Sequence, residues 1–112
     1  MKYALLIYGA EGDWTDLSDD DRNAMYAEYA AVTASPGIID GSELESVATA
    51  TTVRVKNGET LTTDGPFAET KEVLGGFYLF EAESLDEAIA VAARIPAARH
   101  GSVEVRPVVE RS

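Results

Sequence analysis

"GFYLFEAESLDEAIAVAARIP", residues 76–96, holds a strand, a helix start and a helix stop in one run. Aromatic and aliphatic residues fill successive positions of Gly76–Glu81, so a strand there is apolar on both faces and wants cover on both. Ser84-Leu85-Asp86-Glu87 is a capping box, with Ser84 capping the helix and Glu87 reaching back across the cap. Leu85, Ala88, Ile89, Ala92 and Ile95 then recur at helical spacing as a buried stripe, and Pro96 stops the helix. Ser102–Pro107 follows as a strand in which Val103 and Val105 alternate with Glu104 and Arg106.

The N-terminal half repeats this strand–helix–strand order. Lys2–Tyr8 is a second two-faced strand, with Tyr3, Leu5 and Ile7 on one side and Ala4, Leu6 and Tyr8 on the other. After a Gly/Asp-rich turn, Ser18 caps a helix whose first turn holds Asp19, Asp20 and Asp21, where the helix dipole favours negative charge. Met25, Tyr26, Tyr29, Ala30 and Thr33 fall at helical spacing, and Pro36-Gly37 ends the element. Ile38–Ser46 reads as extended. Thr51–Lys56 and Glu59–Thr63 flank Asn57-Gly58, a pair suited to a two-residue type I′ turn because both positions need positive φ. The predicted order is β-α-β-(hairpin)-β-α-β, a ferredoxin-like α+β domain with two helices on one face of an antiparallel sheet. Two helices cover only one face, so the two-faced strands predict a homodimer with the sheets facing each other.

Composition bounds the function. With 112 residues the chain has the size of one domain and buries roughly two-thirds of its unfolded surface in one core. There is no Cys, which excludes disulfides, thiolate nucleophiles and Cys-based metal sites. The opening apolar run is too short for a membrane span or a signal-peptide core, so a cytoplasmic location is expected. Nine basic against twenty acidic residues give a net charge of −11. Direct nucleic-acid binding and attachment to an anionic membrane are both disfavoured by that charge.

The stretch "DGPFAETKEVLGGFYLFEAESLDEAIAVAARIPAARHGSVEVRPV", residues 64–108, together with "MKYALLIYG" and "VRVKNGETLTTDGPF", resembles the YCII-related family in its Asp-Gly-Pro-Phe branch. The resemblance covers nearly the whole chain and implies a dimeric α+β barrel. In other branches a His on the first helix and an Asp near the end of the second are a proposed catalytic pair. Here the first helix, "DDDRNAMYAEYAAV", has no His, and the second ends "ARIPAARHG" with no Asp. Members of this branch are sometimes labelled transcription initiation proteins, a label that follows neighbouring sigma-factor genes and is taken as genomic association only. The rival role is an accessory or sensor module that contacts another protein such as a transcription regulator.

The chemistry-bearing residues are few. His100 is the one side chain whose ordinary pKa lies near neutrality, so it is the first candidate for proton transfer, against a bland reading as a solvated turn residue. Asp64 is the second candidate, as base or orienting group; its structural alternative is to accept backbone N–H bonds of a turn in which Gly65 takes positive φ and Pro66 fixes the next residue. From Asp64 to Gly75 the connection exceeds the roughly 4–6 residue median, and long loops over a sheet are often functional. Glu69, Lys71 and Glu72 within it read as a solvated, self-paired face. If Val53, Val55, Val103 and Val105 face the helices, Arg54, Glu104 and Arg106 face a dimer interior, where they hold an anion or pair with each other. Pro66, Phe67 and Tyr78 complete the ligand-contacting candidates. No phosphate loop, dinucleotide fingerprint or nucleophilic triad is present, and no cofactor or metal is expected. The reading is a small molecule, polar or anionic, bound in a cleft of a homodimer, with cofactor-free acid–base chemistry by Asp64 and His100.

Overall fold

The computed structural model describes residues 1–10 and 17–111; the Gly/Asp-rich turn expected before the first helix falls on 11–16, outside the described residues. The elements run β1 (Lys2–Ala10), α1 (Asp19–Thr33), β2 (Ile38–Glu43), a 3-10 turn at Val47–Thr49, β3 (Thr51–Lys56), β4 (Glu59–Asp64), β5 (Glu72–Glu81), α2 (Leu85–Ala92), α3 (Ala97–His100) and β6 (Ser102–Pro107). Four strands form a sheet in the order β2-β5-β1-β6, antiparallel at every pairing, while among the described residues β3 and β4 pair only with each other as a separate ribbon. The fold is therefore α+β.

Register decides which side chains meet the helices. Tyr3 stands opposite Phe80 and Leu5 opposite Tyr78, while on the other side of β1 Leu5 faces Val105 and Ile7 faces Val103. These residues share one face. They pack with Val32 of α1, Ala88 and Ala92 of α2, Ile95, and Ala97 of α3 into one core. All three helices thus lie on that face. The opposite face carries Leu6 beside Phe77 and Glu104, and Ala4 beside Leu79 and Arg106, with the apolar members only half covered.

Local signals act as expected at the helix starts. Ser18 Oγ accepts the Asp21 N–H at 3.1 Å, and Ser84 Oγ accepts the Glu87 N–H at 3.2 Å. Glu87 reaches back one residue further than a capping box requires, its carboxylate accepting from the Glu83 N–H. The predicted stripe of α2 is rotated: Ala88, Ala92 and Ile95 are buried with Val91 beside them, whereas Leu85 and Ile89 are half exposed. Pro96 ends the α2 region and also opens α3, since its fixed φ and missing N–H suit a helix start as well as a stop. Asn57 and Gly58 take φ of 52° and 80°, the signature of the tight turn.

Two expectations about the hairpin change. Val53 and Val55 do not face the helices; they are 59% and 70% exposed. Strand β5 begins at Glu72, so the connection after β4 covers only residues 65–71, and Gly75-Gly76 form an irregularity inside β5 opposite Ile7 and Tyr8. The molecule is flat, 46 × 45 × 19 Å, with a radius of gyration of 16.0 Å. A compact chain of this length measures about 13 Å, and the projecting hairpin is the largest departure from compactness.

Candidate functional site

Helix α1 leaves a gap because its sequence is a poor wedge. Three acids open it, small alanines fill much of it, and Val32 is its one buried residue. Between α1 and the sheet lies an open cleft of about 1150 Å³. Its walls are α1 from Met25 to Thr33, the edge strand β2 with the segment running to Val47, the Gly75-Gly76 irregularity, and the end of α3 at His100 and Gly101.

Tyr78 is buried at the base of this cleft because β2 carries Gly41 beneath its ring. A Cβ at Gly41 would lie 2.5 Å from Tyr78 Cδ1 and 2.8 Å from the Phe77 carbonyl oxygen, so only glycine lets the ring settle there. The Tyr78 hydroxyl sits 2.9 Å from Thr33 Oγ1 and 3.3 Å from the Tyr29 carbonyl oxygen, and Thr33 Oγ1 lies 3.0 Å from that same carbonyl. Two hydroxyl protons serve three contacts. The two shorter contacts form together when Thr33 donates to the carbonyl and Tyr78 donates to Thr33.

Tyr29 ties α1 to α3. Burial pushes its phenol above the ordinary tyrosine value, the neighbouring Tyr78 and Glu43 push in the same direction, and a backbone hydrogen bond at Ala97 and the charge of Arg99 oppose them. The phenol therefore stays protonated and able to donate through neutral pH. Arg99 binds both carboxylate oxygens of Glu28, at 3.0 and 2.8 Å, and this pair fastens the α3 turn to the outer side of α1. His100 ends α3 and is exposed at the cleft. Gly101 follows with its α-carbon against β1: a Cβ there would stand 2.3 Å from the Tyr8 carbonyl oxygen. His100 is thus aimed by a turn that admits no side chain at the next position.

The cleft lining includes Asp40, Glu43 and Glu45 but, among the described residues, neither Lys nor Arg. Neutral or cationic polar groups suit such walls better than anions do. Among the described residues no three His, Asp or Glu side chains converge as a metal site would need.

Of the residues singled out from sequence, Tyr78 and His100 share the cleft. Asp64 ends β4 in the open; among the described residues its carboxylate accepts no hydrogen bond, and the turn is held instead by Gly65 N–H to the Ala50 carbonyl and by Thr52 Oγ1 donating to the Gly65 carbonyl. Gly65 takes φ 95°. Pro66 and Phe67 follow in the exposed loop, Phe67 at 80% exposure, and Arg54 stands exposed on β3 opposite Leu61. Arg106 pairs with Glu104 on the open face of the sheet. Glu72 accepts from Ser102 Oγ at 3.0 Å rather than pairing with Lys71. Sequence reading noted Tyr29 and Thr33 only as residues at helical spacing. Their hydroxyls, one turn apart on the same side of the helix, were the available signal.

An uncharacterised protein of Rhizobium meliloti strain 1021 is 39% identical to this chain over 116 aligned positions, covering 96% of this chain and 92% of that protein. The family model described as the YCII-related domain matches residues 1–112, and the chain belongs to that family.

Proposed function

We propose that the chain is a one-domain, cytoplasmic homodimer of the Asp-Gly-Pro-Phe branch that binds a small polar molecule in the α1–sheet cleft and handles a proton there without a cofactor. The observation that carries the reading is the convergence of Tyr29, Tyr78, Thr33 and His100 on one open cleft. Tyr29 and Thr33 present hydroxyls to a ligand, Tyr78 holds Thr33 in place from beneath, and the exposed His100 imidazole is the acid–base group at the cleft. Asp64 and the loop residues Pro66 and Phe67 act with a cleft only where the hairpin carries them to one. An anionic ligand would need a cation from outside the cleft lining, with Arg54 and Arg106 as the candidates.

The antiparallel order β2-β5-β1-β6 supports a ferredoxin-like domain carrying an extra hairpin. Half-covered Leu6, Phe77 and Leu79 on the open face support sheet-to-sheet pairing of two copies as an α+β barrel. No helix among the described residues is long and apolar enough to cross a membrane.

A thermal-shift screen against several hundred small metabolites tests the reading, because a ligand of the native state raises Tm by mass action. The expected result is a hit abolished by His100→Ala and weakened by Tyr78→Phe. A hit untouched by both substitutions would refute the site. A rival reading, an accessory module that contacts another protein such as a transcription regulator, draws on Leu85 and Ile89, half exposed one turn apart on α2. It predicts a silent screen and a stable complex that Ile89→Asp abolishes.

A further inference from the structure

The hairpin of β3 and β4 is fully formed yet solitary. Its ladder runs from Thr51 opposite Asp64 to Lys56 opposite Glu59, but among the described residues no hydrogen bond or ion pair joins residues 51–64 to the four-stranded sheet or to a helix. An isolated two-stranded ribbon is marginal in water. Here it also exposes Val53, Val55 and Leu61, with Phe67 just beyond it. Val53 stands opposite Thr62 and Val55 opposite Thr60, so one face of the ribbon is a β-branched surface left exposed among the described residues.

We propose that this hairpin is an arm that crosses to a second copy of the chain, packs its Val53–Val55 face there and closes that copy's α1–sheet cleft. The inference rests on the homodimer reading above and adds where the dimer is gripped and how the site is completed. Area points to the second copy. A stable interface takes about 800 Å² from each partner, and the arm with its loop adds the exposed apolar side chains of Val53, Val55, Leu61 and Phe67 to what the open sheet face offers. Charge points the same way. Residues 51–64 contain Arg54 and Lys56 against Glu59 and Asp64 and are net neutral, so the rest of the chain carries the whole −11. The arm can approach another acidic copy without net repulsion, and neither Arg54 nor Lys56 has an ion-pair partner among the described residues. Arg54 and Lys56 alternate with Val53 and Val55 onto the other face of the ribbon, so once the valine face packs on the partner, the cationic face is the one left to meet the acidic cleft rim at Asp40, Glu43 and Glu45. Length is adequate, since a six-residue strand spans about 20 Å against a molecular thickness of 19 Å. A cleft of 1150 Å³ also exceeds the roughly 300–1,000 Å³ of a ligand pocket, which fits a site that a further element narrows.

The test compares native protein, Val53→Asp/Val55→Asp and the milder Val55→Lys by analytical ultracentrifugation and by hydrogen exchange over residues 38–47. Both positions are exposed within one chain, so each variant keeps native circular dichroism. The proposal expects a native dimer, a dissociation constant raised at least about 100-fold in the double variant, and faster exchange at residues 38–47 in both. A native dimer that both variants leave unchanged would overturn the arm and leave the sheet-to-sheet dimer standing. A native protein that stays monomeric at every concentration would overturn the dimer reading, and the arm with it.

Discussion

Replacing Tyr78 by Phe removes one hydroxyl and almost no volume, so its effect isolates the network at the base of the cleft. The Tyr78 ring is 7% exposed, and its hydroxyl lies 2.9 Å from Thr33 Oγ1. Loss of that oxygen leaves Thr33 still able to donate to the Tyr29 carbonyl at 3.0 Å, and Thr33 is exposed enough for water to fill its vacated lone pair. The cost is then one ordinary hydrogen bond, about 1 kcal/mol, equivalent to roughly 4 °C in Tm for a domain of this size. Thr33→Val removes the other hydroxyl but frees Tyr78 to donate to the carbonyl at 3.3 Å, so its cost is similar or smaller. Because the two substitutions share one interaction, the double variant loses less than the sum, by about 0.5–1 kcal/mol. Urea denaturation of the four proteins measures this cycle. Additivity within about 0.3 kcal/mol would refute the network, and a loss above about 3 kcal/mol in Tyr78→Phe alone would show that the hydroxyl satisfies a buried group not identified above.

The phenol of Tyr29 has a raised folded-state pKa, so its contribution to stability is fully present below pH 10 and is lost as pH rises from there through the folded value. Urea midpoints between pH 8 and 11 should fall less steeply in Tyr29→Phe than in the native chain. Phe80, 1% exposed at the centre of the core, should cost about 3–5 kcal/mol when replaced by Ala, which chemical denaturation will show as a large fall in midpoint at unchanged slope. Ser84→Ala should cost about 1 kcal/mol through loss of the α2 cap, read by the same assay. Gly101→Ala forces a methyl against the Tyr8 carbonyl and should cost about 1–3 kcal/mol while displacing the His100 imidazole resonances in NMR spectra; unmoved resonances would contradict the placement of His100 by that contact.

The parts of the fold legible in the sequence are those fixed by neighbours in the chain. Ser18 and Ser84 each bind an N–H three residues on, and Asn57-Gly58 closes its turn with its own backbone angles. The two-faced patterns of Lys2–Tyr8 and Gly76–Glu81 place these strands side by side at the centre of the sheet for the same reason. The α2 stripe shifted because Leu85 and Ile89 fit helical periodicity as well as Ala88 and Ala92 do. Only the neighbouring elements decide which side of such a helix turns inward. Short α3 escaped notice because Pro96 reads as a stop, while nothing local says that a new turn starts on it.

The cleft depends on three segments distant in sequence and on absences: a helix too small and too acidic to fill its space, and glycines at 41 and 101 where a side chain would collide. A pattern search finds residues that do something and passes over residues that leave room. Sequence reasoning accordingly made the Asp-Gly-Pro-Phe loop, the most distinctive stretch, a wall of the site beside His100 and Tyr78, and gave Tyr29 and Thr33 no role beyond their helical spacing. The structure puts His100 and Tyr78 in a cleft and Asp64, Pro66, Phe67 and Arg54 on an exposed arm and its loop. Those two groups belong to one site only if the arm of one copy reaches the cleft of another. A distinctive loop and an unfilled cleft on separate parts of one small chain are what a site divided between two copies looks like from a single copy.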